Sequence, residues 1–138
     1  GYYTIRLHNN VIMEIYPDGF FPMDAGWQTL TTKTRLNEHM EIGHIHQRNW
    51  DWYLTIGDNT YNWEDVCFVS THPDHQDDPV MTTGDYRAWK KHNGMLELSY
   101  LPDGSTSFIR NRYMGYTESE ARLDFAEHIR NMGYEVEA

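Results

Sequence analysis

Four histidines and three aspartates are the residues of this 138-residue chain whose types and spacing could do chemistry. His44 and His46 alternate along a predicted strand, so both imidazoles project from one face. Residues 72–78, with the sequence His-Pro-Asp-His-Gln-Asp-Asp, add two imidazoles and three carboxylates on a predicted loop. Imidazole together with carboxylate suits a divalent metal such as zinc or manganese. The candidate ligands of a metal site are therefore His44, His46, His72, Asp74 and His75.

Such a site would support a metal-dependent hydrolase, for example a phosphoesterase, if the loop folds over the strand. Neither spacing is diagnostic, and the sequence contains no His-Glu-x-x-His motif, no glycine-rich phosphate loop after a strand and no serine elbow. The single cysteine, Cys67, lies in the apolar run Val-Cys-Phe-Val, which predicts a buried thiol. Whether the chain is an enzyme therefore stays open.

The composition indicates a folded acidic protein that is expected to bind neither duplex nucleic acid nor membranes. The formal net charge is −10, from 21 acidic and 11 basic residues, and no basic stripe is present to neutralise the phosphates of a duplex. No apolar stretch approaches the roughly 18 residues needed to span a bilayer. Ten Tyr, five Trp and five Phe give the chain enough apolar area for a core.

The periodicity predicts an α+β fold in one domain, residues 1–138, with a mostly antiparallel sheet of about six to eight strands and two main helices. The helices are predicted to begin at Thr31 or Thr32 and at Thr117, where Thr117 and Glu120 form a capping box. Pro22 predicts an edge position for the third strand. Residues 85–92 are predicted as a short helix and 71–83 as an irregular loop. The predicted strands are 3–8, 11–15, 20–23, 44–50, 52–56, 61–69, 95–101, 105–112 and an edge strand at 134–136.

Two Pro-Asp-Gly turns, at 17–19 and 102–104, suggest an internal duplication with an offset of 85 residues. The proposed helix caps Thr32 and Thr117 share that offset. The pattern predicts half-repeats 3–43 and 94–137, each a hairpin followed by a helix, with both helices on one face of a sheet. The alternative is coincidence between two ordinary hairpins that are each followed by a helix.

The run from residue 12 to residue 37 resembles a pattern of small, uncharacterised proteins of tailed phages. It has Tyr-Pro-Asp-Gly at 16–19, Gly-Trp-x-Thr-x-Thr-Thr-Lys at 26–33 and a helix opening with Arg35-x-Asn37. Residues 113–121, Tyr-x-Gly-Tyr-Thr-x-x-Glu-Ala, resemble another phage helix opening. Asp24-Ala25 stands where the pattern has Ser-Gly, so the corner before Trp27 is expected to differ. The resemblance covers about 40 residues and implies a phage origin without a known activity, so it assigns no catalytic residue.

The function that the sequence favours is non-catalytic binding of a host or phage macromolecule by a small phage accessory protein, in anti-defence, host takeover or the virion. A protein partner is expected. Unpaired edge strands also offer a route to a homo-oligomer. The place of action would be the cytoplasm of the infected host cell or the virion. No cofactor is expected for binding. The candidate binding residues are Trp27, Trp50, Trp52, Lys33 and Arg35.

Two alternatives remain beside binding. The first is the metal-dependent hydrolase, which would need a divalent metal such as zinc or manganese. The second is a small-molecule enzyme whose site lies at an oligomer interface, lined by Tyr53, Glu64 and the tryptophans.

Overall fold

The structure is a computed structural model that describes residues 2–90, 94–102 and 107–134. The chain divides into two compact units, Gly1–Thr82 and Thr83–Ala138. The described residues form two helices, α1 (Leu30–His39) and α2 (Glu118–Asn131), neither of which is long and apolar enough to cross a membrane. They also form eleven strands: β1 (Tyr3–Leu7), β2 (Asn10–Tyr16), β3 (Gly19–Pro22), β4 (His44–Arg48), β5 (Asp51–Ile56), β6 (Asn59–Asn62), β7 (Phe68–Ser70), β8 (Val80–Met81), β9 (Tyr86–Lys90), β10 (Leu96–Tyr100) and β11 (Ile109–Tyr113).

The predicted α+β class, with antiparallel strands and two helices, is confirmed. The strands lie in three sheets of five, three and three strands, whereas the periodicity predicts one sheet. Each unit contains a hairpin followed by a helix, but the hairpins β2–β3 and β10–β11 belong to different sheets. The internal duplication therefore stays a prediction.

The first unit contains the five-stranded sheet, in the order β1-β2-β3-β7-β8. Its opening β1-β2-β3 meander follows the sequence prediction. The edge position predicted for β3 from Pro22 is wrong, because Gly19 and Phe20 pair β3 with β7. Pro22 lies beyond that pairing, opposite Met13 of β2, where its missing N–H removes no bond between β3 and β7.

Helix α1 begins earlier than predicted. Its N-cap is Thr29, whose hydroxyl accepts a hydrogen bond from the Thr32 N–H at 3.2 Å, so the predicted caps Thr31 and Thr32 are wrong. Thr32 is instead buried in the first turn, with its hydroxyl 3.0 Å from that of Thr29. Leu36 lies one turn further on and is fully buried.

Asn37 joins α1 to the second sheet of this unit, which has the order β4-β5-β6. Its side-chain amide donates to the Ile45 carbonyl at 3.0 Å, and its carbonyl accepts from the Ile45 N–H at 2.8 Å. Because β4 is an edge strand, this one side chain satisfies groups that a neighbouring strand would otherwise pair. Both sheets and α1 contribute to one core: Ile12, Met13, Phe20, Leu36, Ile45, Trp52, Leu54, Trp63, Val69 and Val80.

Two predicted segments of the first unit differ in the structure. The single strand predicted for 61–69 is wrong, because β6 ends at Asn62 and a 3₁₀ turn, Trp63–Asp65, precedes β7. The predicted loop 71–83 contains a second 3₁₀ turn, Pro73–His75, and strand β8, which pairs with β7. Short elements of two to four residues carry too little periodicity to be predicted.

The second unit is a three-stranded sheet, β9-β10-β11, with α2 packed on one face. The helix predicted for 85–92 is wrong, because residues 86–90 form β9. The predicted capping box of α2 is confirmed. Some predicted elements lie largely outside the described residues. These are the turn predicted at 102–104 and the last strand, predicted at 134–136, of which residues 103–104 and 135–136 are not described. The core of this unit consists of Leu96, Leu98, Tyr100, Tyr113, Ala121, Phe125 and Ile129.

Candidate binding cleft

A cleft of about 450 Å³ opens on the first unit, between the β1–β2 hairpin and the segment that leads into α1. Its volume is within the range of pockets that hold a small ligand or a large side chain. The residues that line the cleft are Leu7, His8, Asn10, Ile12, Asp24, Ala25, Trp27, Thr29, Thr31 and Thr32.

Ile12 lies at the cleft because of a β-bulge between β1 and β2. Ile5 pairs with Met13 and Arg6 pairs with Val11, which leaves Ile12 as an extra residue of β2. A bulge interrupts the alternation of side chains, so the consecutive residues Ile12 and Met13 are both buried. The bulge thereby gives the cleft an apolar side chain that a regular strand would have directed elsewhere.

Asp24 fixes the opposite wall of the cleft. Its carboxylate accepts hydrogen bonds from the Gly26 N–H at 2.8 Å, Gln28 Nε2 at 3.0 Å and Trp63 Nε1 at 3.0 Å. Burial by itself raises the pKa of this carboxyl, but the hydrogen bonds from Gln28, Gly26 and Trp63 together lower the pKa below its ordinary value. At neutral pH the Asp24 carboxylate is therefore ionised, and its hydrogen bonds stabilise the turn before Trp27.

The corner contains two successive residues with left-handed backbone, Ala25 at φ +54° and Gly26 at φ +82°. This region of backbone space favours glycine, and the phage pattern that the segment resembles has glycine at both positions. The corner keeps a left-handed residue at Ala25 in spite of its Cβ. The Asp24 hydrogen bond to the Gly26 N–H spans that residue and stabilises the turn.

Two large apolar side chains beside the cleft are exposed, Trp27 by 64% and Leu30 by 73%. Leu30 lines a second groove of about 480 Å³, which we call the adjoining groove because it shares Leu7, His8 and Thr31 with the cleft. Exposed apolar side chains grouped around a concave surface are typical of an interaction site. The other residues of the adjoining groove are Arg6, Thr34, Arg35 and Glu38.

Trp50 is 88% exposed, more than the other two tryptophans that were predicted to bind, Trp27 and Trp52. It lies at the tip of the β4–β5 hairpin. Asn49 and Trp50 connect the strands with φ values of +51° and +74°. Asparagine tolerates such a conformation, but for a bulky residue it is an outlier. The hairpin over Asn49 is as predicted, and the strained conformation of Trp50 is a feature that only the structure shows.

The other three predicted binding residues have different environments. Trp52 is 3% exposed and packs edge-on against Trp63, with ring centroids 5.4 Å apart, so it belongs to the core. Lys33 is half-buried in the first turn of α1. Arg35 lines the adjoining groove, with Nη1 3.5 Å from the Glu38 carboxylate. The structure therefore brings Trp27 and Arg35 to one surface and places Trp50 on a separate hairpin.

The predicted metal ligands lie on two separate elements of the first unit. His44 and His46 are on β4, and His46 Nε2 is 2.8 Å from the Thr55 hydroxyl. His72 and His75 are at the 3₁₀ turn after β7, with ring centroids 5.4 Å apart.

Within the described ranges, no three His, Cys, Asp or Glu side chains are grouped to hold a metal ion. Asp74 lies beside His72, its Oδ2 3.7 Å from His72 Nδ1. His75 is buried, and its Nδ1 is 2.7 Å from the Ser70 hydroxyl, which fastens the turn to β7. Among the described residues the predicted ligands do not come together, so the metal site stays a prediction.

Tyr53 and Glu64, which were predicted to line a small-molecule site, do lie together around a pocket of about 160 Å³ with Trp52 and Trp63. Ligand pockets usually have volumes of about 300–1,000 Å³. The pocket is thus small for a substrate, and the interface alternative stays a prediction.

Sequence reasoning missed Ile12 and Asp24, which line the cleft, and Leu30, which lines the adjoining groove. Asp24 has a recognisable signal, because Asp-x-Gly is typical of a turn in which the carboxylate binds the backbone two residues on. Ile12 has none, since its place depends on a bulge. Leu30 looks like an ordinary apolar residue of a helix, and only the structure shows that it is exposed.

The fold and the cleft define a small α+β protein with an open cleft and exposed apolar side chains in its first unit. Residues 1–77 match the family model described as Kyanoviridae Gp96 protein, and the chain belongs to this family of cyanophage proteins. It is therefore a phage protein, as the resemblance of residues 12–37 implies. Every residue that lines the cleft and the adjoining groove falls inside the matched segment. No curated protein and no solved structure matches the chain.

Proposed function

We propose that this phage protein acts by non-catalytic binding, and that the cleft receives an apolar side chain of a protein partner in the infected host cell or the virion. The observation that carries the proposal is the exposure of Trp27 and Leu30 beside a preformed apolar cleft. Binding energy at protein interfaces is concentrated in a few aromatic and large apolar anchors that fit such pockets.

Charge at the cleft supports a partner that is itself not strongly basic. Residues 1–82 contain twelve Asp or Glu and only four Lys or Arg. Two of those four, Arg6 and Arg35, line the adjoining groove. Glu38 lines the same groove and Asp24 lines the cleft, so this surface carries charges of both signs, which reduces repulsion of an acidic or neutral partner.

Hydrogen bonds and burial hold the walls of the cleft in place, which supports binding without a large conformational change. Asp24 holds one wall through three hydrogen bonds, and β2 provides the other through the buried residue Ile12. A preformed site loses less conformational entropy when it binds.

A site-specific photocrosslinker tests the proposal in phage-infected host cells. We expect benzoylphenylalanine at position 30 to form one dominant protein adduct, and the Trp27→Ala change to weaken that adduct about 30-fold or more, as for an interface anchor. The matched control is the same crosslinker at position 123, because Leu123 on α2 is 65% exposed and outside the matched segment. Equal labelling from both positions would refute binding at the cleft.

A further inference from the structure

Trp50 has an exposed side chain on a backbone that disfavours it. Two-residue hairpin loops of this kind strongly prefer glycine at the second position, because both central residues need positive φ. The chain has tryptophan there, at φ +74°. Strained residues of this kind occur preferentially at functional sites, where the side chain is needed in spite of the conformation.

The same chain thus presents an exposed indole and an open cleft. At 88% exposure Trp50 does not fill the cleft of its own chain, and it is absent from the residues that line it. Both features lie within residues 1–77.

We propose that the hairpin tip of one copy inserts Trp50 into the cleft of a second copy. The proposal rests on the cleft of the proposed function and names its partner as another molecule of this chain. A volume of about 450 Å³ accommodates an indole together with the turn that carries it. The threonine hydroxyls and the Asp24 carboxylate that line the cleft are acceptors for the indole N–H.

Both features carry charges of both signs. Asp51 follows Trp50 directly and lies opposite Arg48 in the hairpin, and both are exposed. Arg6, Arg35 and Glu38 line the groove that adjoins the cleft. An inserted hairpin can therefore set Asp51 against Arg6 and Arg48 against Glu38, which offsets part of the repulsion between two acidic molecules.

The inserted hairpin and the cleft are different surfaces of the chain. If the hairpin of each copy enters the cleft of the other, the contact closes as a twofold dimer. If each copy in a contact retains one free hairpin and one free cleft, association continues into a ring or an open chain.

Complementation between two variants tests the proposal by sedimentation velocity at about 5–500 μM. The hairpin variant is Trp50→Gly, and the cleft variant is Trp27→Ala with Thr31→Glu, a change that suits the first turn of a helix. We expect the unmodified chain to form a dimer or a larger species. We expect each variant alone to associate at least about 30-fold more weakly. An equimolar mixture should form a one-to-one dimer and nothing larger, because it holds one intact hairpin and one intact cleft per pair.

An unmodified chain that stays monomeric over this range would overturn the proposal, as would variants whose mixture does not associate. Trp50→Ala is a second hairpin variant that removes the indole while keeping a Cβ, and it should behave like Trp50→Gly. Circular dichroism of each variant establishes that it is folded. If the chain is monomeric but position 30 still crosslinks to a different protein, self-association fails while the proposed binding function stands.

Discussion

Asn37 shows how one side chain can replace a strand. Its amide forms two hydrogen bonds with the backbone of Ile45, whose side chain is fully buried. The phage pattern contains an asparagine at this position, after Arg35, and the structure gives that residue a structural role. Arg35 two positions earlier forms a solvent-exposed ion pair with Glu38.

Replacing Asn37 with alanine is expected to destabilise the protein by about 2 kcal/mol, because it leaves the N–H and the carbonyl of Ile45 without these partners. Urea denaturation followed by circular dichroism measures the change. Arg35→Ala is the control and should alter stability by about 0.5 kcal/mol or less, since exposed ion pairs contribute little. Equal effects of the two changes would show that the Asn37 bonds do not support the fold.

The strain at Trp50 can be separated from the loss of its side chain. We expect Trp50→Gly to be more stable than Trp50→Ala by about 1 kcal/mol, because alanine retains a Cβ at φ +74° and glycine does not. Part of that gain is offset by the greater freedom of glycine in the unfolded chain. Thermal denaturation of both variants at low protein concentration gives the difference. An alanine variant as stable as the glycine variant would mean that the turn relaxes at little cost.

At the scale of the elements, the segment 24–28 before α1 depends on an ionised carboxylate. The pKa of Asp24 is lowered in the folded protein, so its hydrogen bonds stabilise the fold above the ordinary carboxyl pKa. That stabilisation is lost as the pH falls through the lowered pKa of the folded state. We expect the stability advantage of the unmodified chain over Asp24→Asn to be largest near neutral pH and to shrink below about pH 4.

Urea denaturation of both proteins at several pH values between about 2 and 7 tests this expectation. Asp58→Asn, on the exposed turn between β5 and β6, provides the comparison for a general effect of removing one negative charge. If the stability advantage of the unmodified chain over Asp24→Asn grew as the pH fell, the result would contradict the role assigned to Asp24.

The long elements follow from the sequence and the short ones do not. The capping box at Thr117 and the stripe formed by Ala121, Phe125 and Ile129 identify α2, because capping and a period of 3.6 residues are local signals. Strand β9 was missed because both of its faces carry large side chains: Trp89 is fully buried and donates to the Ser99 hydroxyl at 2.6 Å, while Tyr86 packs against the core on the α2 side. Such a pattern lacks the polar alternation that distinguishes a strand from a helix.

The cleft could not be predicted from the sequence, because its residues come together only in the folded protein. Trp27 could be proposed as a binding residue, but its neighbours in the cleft come from β1, β2 and α1. Their meeting depends on the bulge at Ile12 and on the turn at Asp24, which are tertiary features. The division of the strands into three sheets is likewise a matter of long-range pairing, which alternation within one strand does not encode.

At the scale of the whole molecule, charge opposes the self-association that Trp50 and the cleft favour. Each chain carries a formal net charge of −10, and twelve of its acidic residues lie in residues 1–82 beside only four basic ones. Two copies brought together through their first units therefore repel each other at long range. Salt shortens the range of that repulsion, from about 30 Å at 0.01 M to about 10 Å at 0.1 M, while burial of an indole is little affected.

We expect self-association of the unmodified chain to strengthen when sodium chloride is raised from about 0.01 M to about 0.3 M, because screening reduces net repulsion more than it weakens the contact of Asp51 with Arg6 or Arg35. Sedimentation velocity at fixed protein concentration measures the change. Trp50→Gly has the same net charge and should show little association at either salt concentration, which separates a specific contact from aggregation caused by salt. Association that weakens as salt rises would mean that charge pairs, rather than the indole in the cleft, hold the copies together.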